Sequence, residues 1–203
     1  MTKRAYLFPP PHVLLILWLA FFFVASVAAQ EMVFQVDPAQ SSVDFTLGAA
    51  LHTVHGNFRM KGGSVHFDPA TGAASGELVV DAASGNTGSK GRDKKMHKDV
   101  LESAKYPEIR FTIQGFQGKL SENSSSQVQL TGVMTLHGSD HPFTVSASVN
   151  LAAGHAAADV PFDVPYVQWG LKNPSTLFLR VNDKVAIVVH AVGTVAAAVA
   201  QPR

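Results

Sequence analysis

Histidine is the side chain best placed to do chemistry in this sequence, with nine copies in 203 residues and no cysteine. His52 and His55 are three apart in a segment of strand character, so they face opposite ways and cannot chelate together. His137 and His141 flank a turn and, with Asp140, form the best metal candidate. Two histidines at a turn are more often surface groups than members of the usual three- or four-ligand zinc site, and they are read first as such. His190 sits in the most apolar segment, where a satisfied buried imidazole is expected and contact with a bound ligand is the sharper alternative. Serines are plentiful, but no G-x-S-x-G elbow presents one as a nucleophile. Asp44, Asp68 and Asp81 occupy turn or polar-face positions and form no carboxylate pair. Phosphate-loop and dinucleotide fingerprints are absent, and "NSS" (123–125) matches a glycosylation acceptor by pattern alone. No catalytic residue, no metal and no cofactor is assigned on this reading, which points to a binding module before an enzyme.

The elements that must carry these residues are strands. "FTVSASVNL" (143–151) alternates Phe143, Val145, Ala147, Val149 and Leu151 with polar residues, the period of a strand with one apolar face. The same alternation runs through 43–47, 53–59, 63–67, 76–84, 108–116, 127–138 and 159–170, and the segment 184–195 is apolar on both faces. Turn signals at "DPATG", "ENSSS" and "HGSDHP" separate them. About eight main strands in sequence suit an up-and-down antiparallel barrel or a sandwich. The exception is 89–107, charged and without alternation, where Met96, Val100 and Leu101 recur at helical spacing. It predicts a short amphipathic helix over 93–103, stopped by Pro107, whose apolar edge can cap a barrel mouth. "AAGHAAADV" (152–160) reads as a connection and "TVAAAVAQPR" as a frayed tail.

Residues 1–29 stand apart. Lys3 and Arg4 precede the apolar run 13–29, which ends in small residues with Val27 and Ala29 at the −3 and −1 positions before Gln30, the layout of a secretory signal. A retained anchor is the rival reading, since the run approaches the length of a membrane span. Cleavage is favoured because no basic stop-transfer cluster follows, and it leaves no expected membrane span. It removes two cations and no acid, so the 16 basic and 15 acidic side chains become 14 and 15, a net charge of −1. That balance argues against a nucleic-acid partner. An exported domain without disulfides must be held by its core, which favours one full-sized sheet domain over 30–203.

Several blocks, taken in order, resemble the YceI-like family. They are "FQVDPAQSSVDFTLGAALHTVHGNF", "GSVHFDPATG", "SGNTGSKGRDKKMHKDVLESAKYPEIRFT", "LTGVMTLHG" with "HPFTV", and "VPYVQWGLKNPSTLFLRVNDKV". The most specific is Arg92-Asp93, Met96, Leu101 and Tyr106-Pro107-Glu108-Ile109 leading to Phe111, and the likeness extends over 33–195. The resemblance implies an all-β, eight-stranded antiparallel lipocalin-like barrel with a helical insertion. It also implies a hydrophobic pore for polyisoprenoid or other amphiphilic lipid chains, in the periplasm or as a secreted protein. Carried over by position, the ligand-binding residues would be Phe45, Val54, Phe58, Phe67, Leu78, Val80, Phe111, Ile113, Leu130, Phe143, Val145 and Ile187, with Trp169 joining them.

An eight-stranded barrel is just wide enough for its own side chains or one slender ligand. Ala147, Gly132 and Ala191 share parity with apolar neighbours and are expected to leave room. Each buried methylene contributes about 0.8 kcal/mol, so tight binding needs no specific polar contact, and selection should act on chain length and width. The expected function is therefore non-catalytic carriage of an isoprenoid-like or long-chain amphiphilic lipid. The competing readings are an enzyme acting on such a lipid through His190 or His137/His141, and an envelope stress or adhesion module with a filled barrel. A barrel open at one mouth often meets a twin there, so a homodimer is one arrangement it allows.

Overall fold

Every long alternating stretch in the sequence becomes a strand, because each places one apolar row on a common interior and one polar row in water. The computed structural model describes residues 31–50, 52–177 and 180–198; the expected export segment 1–29 lies outside them. Among the described residues there are nine strands: β1 (Met32–Val36), β2 (Ser42–Gly48), β3 (Thr53–Phe67), β4 (Ala73–Asn86), β5 (Glu108–Gly118), β6 (Ser125–Leu136), β7 (Ser139–Ala152), β8 (His155–Val164) and β9 (Val185–Ala197). From β3 to β9 each strand pairs antiparallel with the next. β1 and β2 share one place in the ring. Both lie between β3 and β9, β1 against Ser64–Phe67 and β2 against Thr53–Arg59. The sheet thus closes as an eight-membered barrel whose first member is interrupted at 37–41.

That interruption is a local turn. Pro38 cannot donate to a ladder, and the Asp37 carboxylate accepts bonds from the Ala39 N–H (2.9 Å) and the Gln40 amide (2.5 Å). The Gln40 bond chiefly holds the Asp37 carboxyl below its ordinary value. The Ser41 hydroxyl accepts the Val192 N–H at 3.0 Å and so supplies the partner that the broken strand withdraws from β9.

The barrel has unequal ends. One carries the two-residue hairpin Ala153–Gly154 and the short connections 68–72 and 119–124; the other carries 87–107 and 165–184. At the first end Val65, Phe67, Ile113, Phe116, Val128 and Ala147 form a continuous buried cluster, with Phe67 and Phe116 in tilted contact at 5.2 Å. Across the second end lies helix α1 (Lys90–Lys95), followed by a π-helical turn at Met96–Val100.

Several sequence-based expectations are corrected. The helix starts and stops about three residues earlier than 93–103, because Glu102 adopts φ 44° and ends it before Pro107 is reached. Residues 53–67 form one strand, whose register shifts near Asn57 and Met60 absorb the break read between 59 and 63. The Ala/Gly-rich 152–160 is a tight hairpin entering β8, with Ala153 and Gly154 at φ 48° and 75°. Thr194–Ala197 pair with β1 and are not frayed. β8 ends at Val164, so 165–170 is turn.

One close approach fixes the wall of the barrel near the helix. Gly56 pairs with Phe45, and a Cβ at 56 would lie 2.4 Å from Phe45 Cζ and 2.6 Å from the Asn86 carbonyl oxygen. Phe45 instead lies over the bare backbone and reaches Phe58 at 5.3 Å. Gly56→Ala is expected to destabilise the protein by about 1–3 kcal/mol through this overlap, read as a lowered melting temperature.

Candidate functional site: an apolar hollow beneath a helical cap

Between the filled end and the helix the inward side chains stop short of one another. They leave a cavity of about 510 Å³. Its wall is built strand by strand from Val43, Phe45 and Leu47 on β2, Val54, Phe58 and Met60 on β3, and Leu78 and Val80 on β4. Ile109 and Phe111 on β5, Leu130, Met134 and Leu136 on β6, and Val145 on β7 continue it. Val160, Phe162 and Val164 on β8 and Val185, Ile187 and Val189 on β9 complete the ring. Met96, Val100 and Leu101 roof it from the cap, with Tyr166 and Leu171 from the 165–184 connection. The three apolar residues expected on the helix edge are thus the ones that face the barrel.

Of the thirteen residues named from sequence, Phe45, Val54, Phe58, Leu78, Val80, Phe111, Leu130, Val145 and Ile187 border the hollow. Phe67 and Ile113 do not, since they belong to the cluster that fills the opposite end. Phe143 and Trp169 are also set back. Phe143 meets Phe162 edge-on at 5.3 Å and Trp169 at 5.6 Å, so this pair packs beside the Phe162 that borders the hollow and does not itself border it. Gly132, Ala147 and Ala191 do not leave the empty space. Ala147 lies in the filled cluster, where the small residue makes room for large neighbours such as Phe67 and Phe116. The hollow lies instead within a ring of Val, Leu, Ile, Phe and Met side chains.

Polar groups at the hollow are few and lie toward the cap. The Tyr166 hydroxyl donates to the Asn182 carbonyl oxygen at 2.6 Å; burial, with Asp183 nearby, pushes its pKa up to about 12. Lys95 donates to the Pro174 carbonyl oxygen at 3.0 Å, tying the helix to the 165–184 connection. Arg92 donates to the Thr87 hydroxyl (2.9 Å) and carbonyl (3.0 Å). Among the described residues the charged side chains at the capped edge of the hollow are Arg92 and Lys95, and no carboxylate borders it. Arg110 contributes only its strand position, its guanidinium pairing with Glu77 and Glu108 on the outer face. His52, exposed just before β3, also borders the hollow. Sequence reasoning missed this rim because it depends on how 87–95 folds back over the barrel, which strand periodicity does not encode.

His97 anchors the cap. Its Nε2 lies 2.8 Å from the Gly85 carbonyl oxygen and its Nδ1 3.1 Å from the Ser103 hydroxyl, a geometry in which Nε2–H donates to β4 and Nδ1 accepts. His97→Ala leaves a half-buried carbonyl without its partner. It is expected to loosen 90–101 by about 1–3 kcal/mol, read as faster amide exchange there while β5–β7 stay protected.

The other histidines go elsewhere. His190 is exposed on the outer face, 2.5 Å from an Asp159 carboxylate oxygen and 3.8 Å from Asp44. The expectation of a buried imidazole is therefore corrected: in β9 the odd-numbered residues point inward and position 190 points out. His137, in the β6–β7 turn, contacts Glu102 at 2.6 Å and packs on Tyr106; His141 stacks flat on Trp169 at 4.1 Å; Asp140 accepts from Thr135 at 2.6 Å. These three diverge to separate partners, and among the described residues no group of three or more His, Cys, Asp or Glu is disposed to hold a metal.

A closed antiparallel barrel of eight places, filled at one end and hollow beneath a helix at the other, has the lipocalin-like architecture of barrels that enclose a ligand. The chain belongs to the YceI-like domain family, which it matches over residues 34–193. Among curated relatives it is 30% identical over 125 residues to a UPF0312 protein of Pseudomonas savastanoi pv. phaseolicola, covering 60% of this chain and 63% of the relative. It is 27% identical over 122 residues to a UPF0312 protein of Vibrio cholerae, covering 59% and 62%. The chain thus spans less than two thirds of the length of these relatives. Among solved structures, BcnA of Burkholderia cenocepacia superposes with a TM-score of 0.66 at 23% identity, covering 78% of this chain and 99% of that one. A polyisoprenoid binding domain from Saccharophagus degradans superposes with a TM-score of 0.64 at 18% identity, covering 79% and 98%. At these identities the likeness is one of fold.

Proposed function

We propose that this protein holds the hydrocarbon tail of an isoprenoid-like or other amphiphilic lipid in the hollow, without chemical turnover. The observation that carries this reading is a wall of Val, Leu, Ile, Phe and Met side chains around an unfilled cavity of about 510 Å³. The membership in a family with a polyisoprenoid-binding structural neighbour supports it. Burial of apolar ligand surface is the driving force, at about 25 cal/mol per Å². A catalytic reading has less support: His190, His137 and His141 do not border the hollow, and Tyr166 is held by a backbone carbonyl. Native mass spectrometry of protein from its own host is expected to show adducts in the lipid mass range. A clean apo mass, with no uptake of prenyl or fatty-acyl chains afterwards, would sink the reading.

The rim gives this reading a polarity. With the tail in the barrel, the head group lies beside Arg92 and Lys95. Arg92→Glu combined with Lys95→Glu is expected to weaken a carboxylate-headed chain about fivefold to tenfold more than the matching alcohol, as two partly exposed charge contacts would. Equal loss for both heads, by calorimetry, would remove the rim from recognition.

Residues 1–29 have the layout of a cleaved export signal, and the proposed site of action is the periplasm or the exterior. N-terminal sequencing of the protein from its host is expected to start at Gln30; a start at Met1 or Thr2 would favour the retained anchor. Among the described residues no helix is long and apolar enough to cross a membrane.

A further inference from the structure

The barrel is hollow over only part of its height, and the boundary is built from identifiable residues. Leu78, Phe111, Leu130 and Val160 border the hollow and also pack against the cluster around Phe67 and Phe116. On β3 the lining runs from Val54 to Met60, while the strand continues to Phe67 through residues that serve the filled end. On β6 it runs from Leu130 to Leu136, while Val128 belongs to the filled end. A tunnel open through the whole barrel would continue along these strands; here Phe67 and Phe116 close it.

We infer that this floor sets the length of the tail, so that the hollow takes a single hydrocarbon chain of roughly 12–17 carbons, the methylene sharing a water's volume of about 30 Å³ and a chain bond advancing about 1.2 Å. Two measures set the ends of that range. The cavity of about 510 Å³ corresponds to about 17 such groups. Seven residues of lining along a strand, hence six rises, span about 20 Å, or about 15 Å along the axis once strand tilt is included, which is the reach of about 12 or 13 bonds. Carbons beyond that number stay outside the hollow, past the cap and in water. This inference rests on the proposal that the hollow binds lipid, and adds which lipids fit: one acyl chain of ordinary length or about three isoprene units.

The test is calorimetric titration of delipidated protein with two ligand series, saturated carboxylates of increasing length and linear prenyl alcohols of two to eight isoprene units. Affinity is expected to rise about fourfold per added methylene and then level off within roughly 12–17 chain carbons. The arm that binds more tightly at equal length identifies the chain type. Val160→Phe raises the floor and is expected to bring the plateau about four methylenes earlier, the four added carbons taking their place. Leu130→Ala lowers the floor and is expected to delay it, with circular dichroism reporting that each variant is folded. A rise that continues unbroken to the longest chains, or plateaus that neither variant moves, would overturn the inference while leaving lipid binding in place. Failure of every chain to bind would overturn the lipid reading itself.

Discussion

Ile187→Trp is expected to abolish uptake of a long chain while leaving the empty protein folded and no less stable. Ile187 pairs with Phe45 on one side and Phe162 on the other, and all three border the hollow at one level. An indole there projects into space that no protein atom occupies, so the usual 1–3 kcal/mol penalty for enlarging a core side chain does not apply. A tail would be stopped at that level. Losing burial of about six methylenes at 0.8 kcal/mol each forfeits roughly 5 kcal/mol, more than three orders of magnitude in affinity. Calorimetry on the delipidated variant measures the first effect and its melting temperature the second. Retained tight binding would mean that the chain is held somewhere other than this cavity.

The opposite pattern is expected at the filled end. Phe116 is 6% exposed, touches Phe67 and sits in the buried cluster with Val65, Ile113 and Val128. Phe116→Ala removes a ring from packed surroundings and is expected to cost about 3–5 kcal/mol, a fall in melting temperature of roughly 6–20 °C for a chain of this size. Val189→Ala, facing the hollow, creates little new void and is expected to cost under about 1.5 kcal/mol. Comparable losses at 116 and 189 would show that the barrel is packed evenly along its axis, against the division into floor and hollow. The two sets of substitutions separate stability from binding, because the residues that hold the barrel together are largely not those that face a ligand.

Much of the architecture is legible in the sequence because a strand with one wet face must alternate, and parity names the inward side. Parity placed Phe45, Phe58, Leu78 and Ile187 on the inside as readily as Phe67 and Ile113. It carries no information on height along the barrel, which depends on register between strands that are distant in sequence. Phe67 and Ile113 therefore read as lining and prove to be floor. Trp169, joined to the lining by the family resemblance, stacks on His141 instead, because β8 ends at Val164 and the chain turns away. The rim was the least legible part. Arg92 and Lys95 lie on a helix of six residues whose seat is set by His97, Thr87 and Pro174, contacts that no local pattern announces.

The split first member of the ring has a consequence for how the molecule comes into being. Met32–Val36 and Ser42–Thr46 both pair with the last strand, as far apart in the chain as Met32 and Ala197. Until residues 185–197 are available, the N-terminal segments have only β3 beside them, and the curved sheet is an open ribbon with two raw edges. Such long-range pairing is slow to form. A nascent chain is thus kept from shutting its barrel early, and loss of the final strand would strip the closing partner from two segments at once.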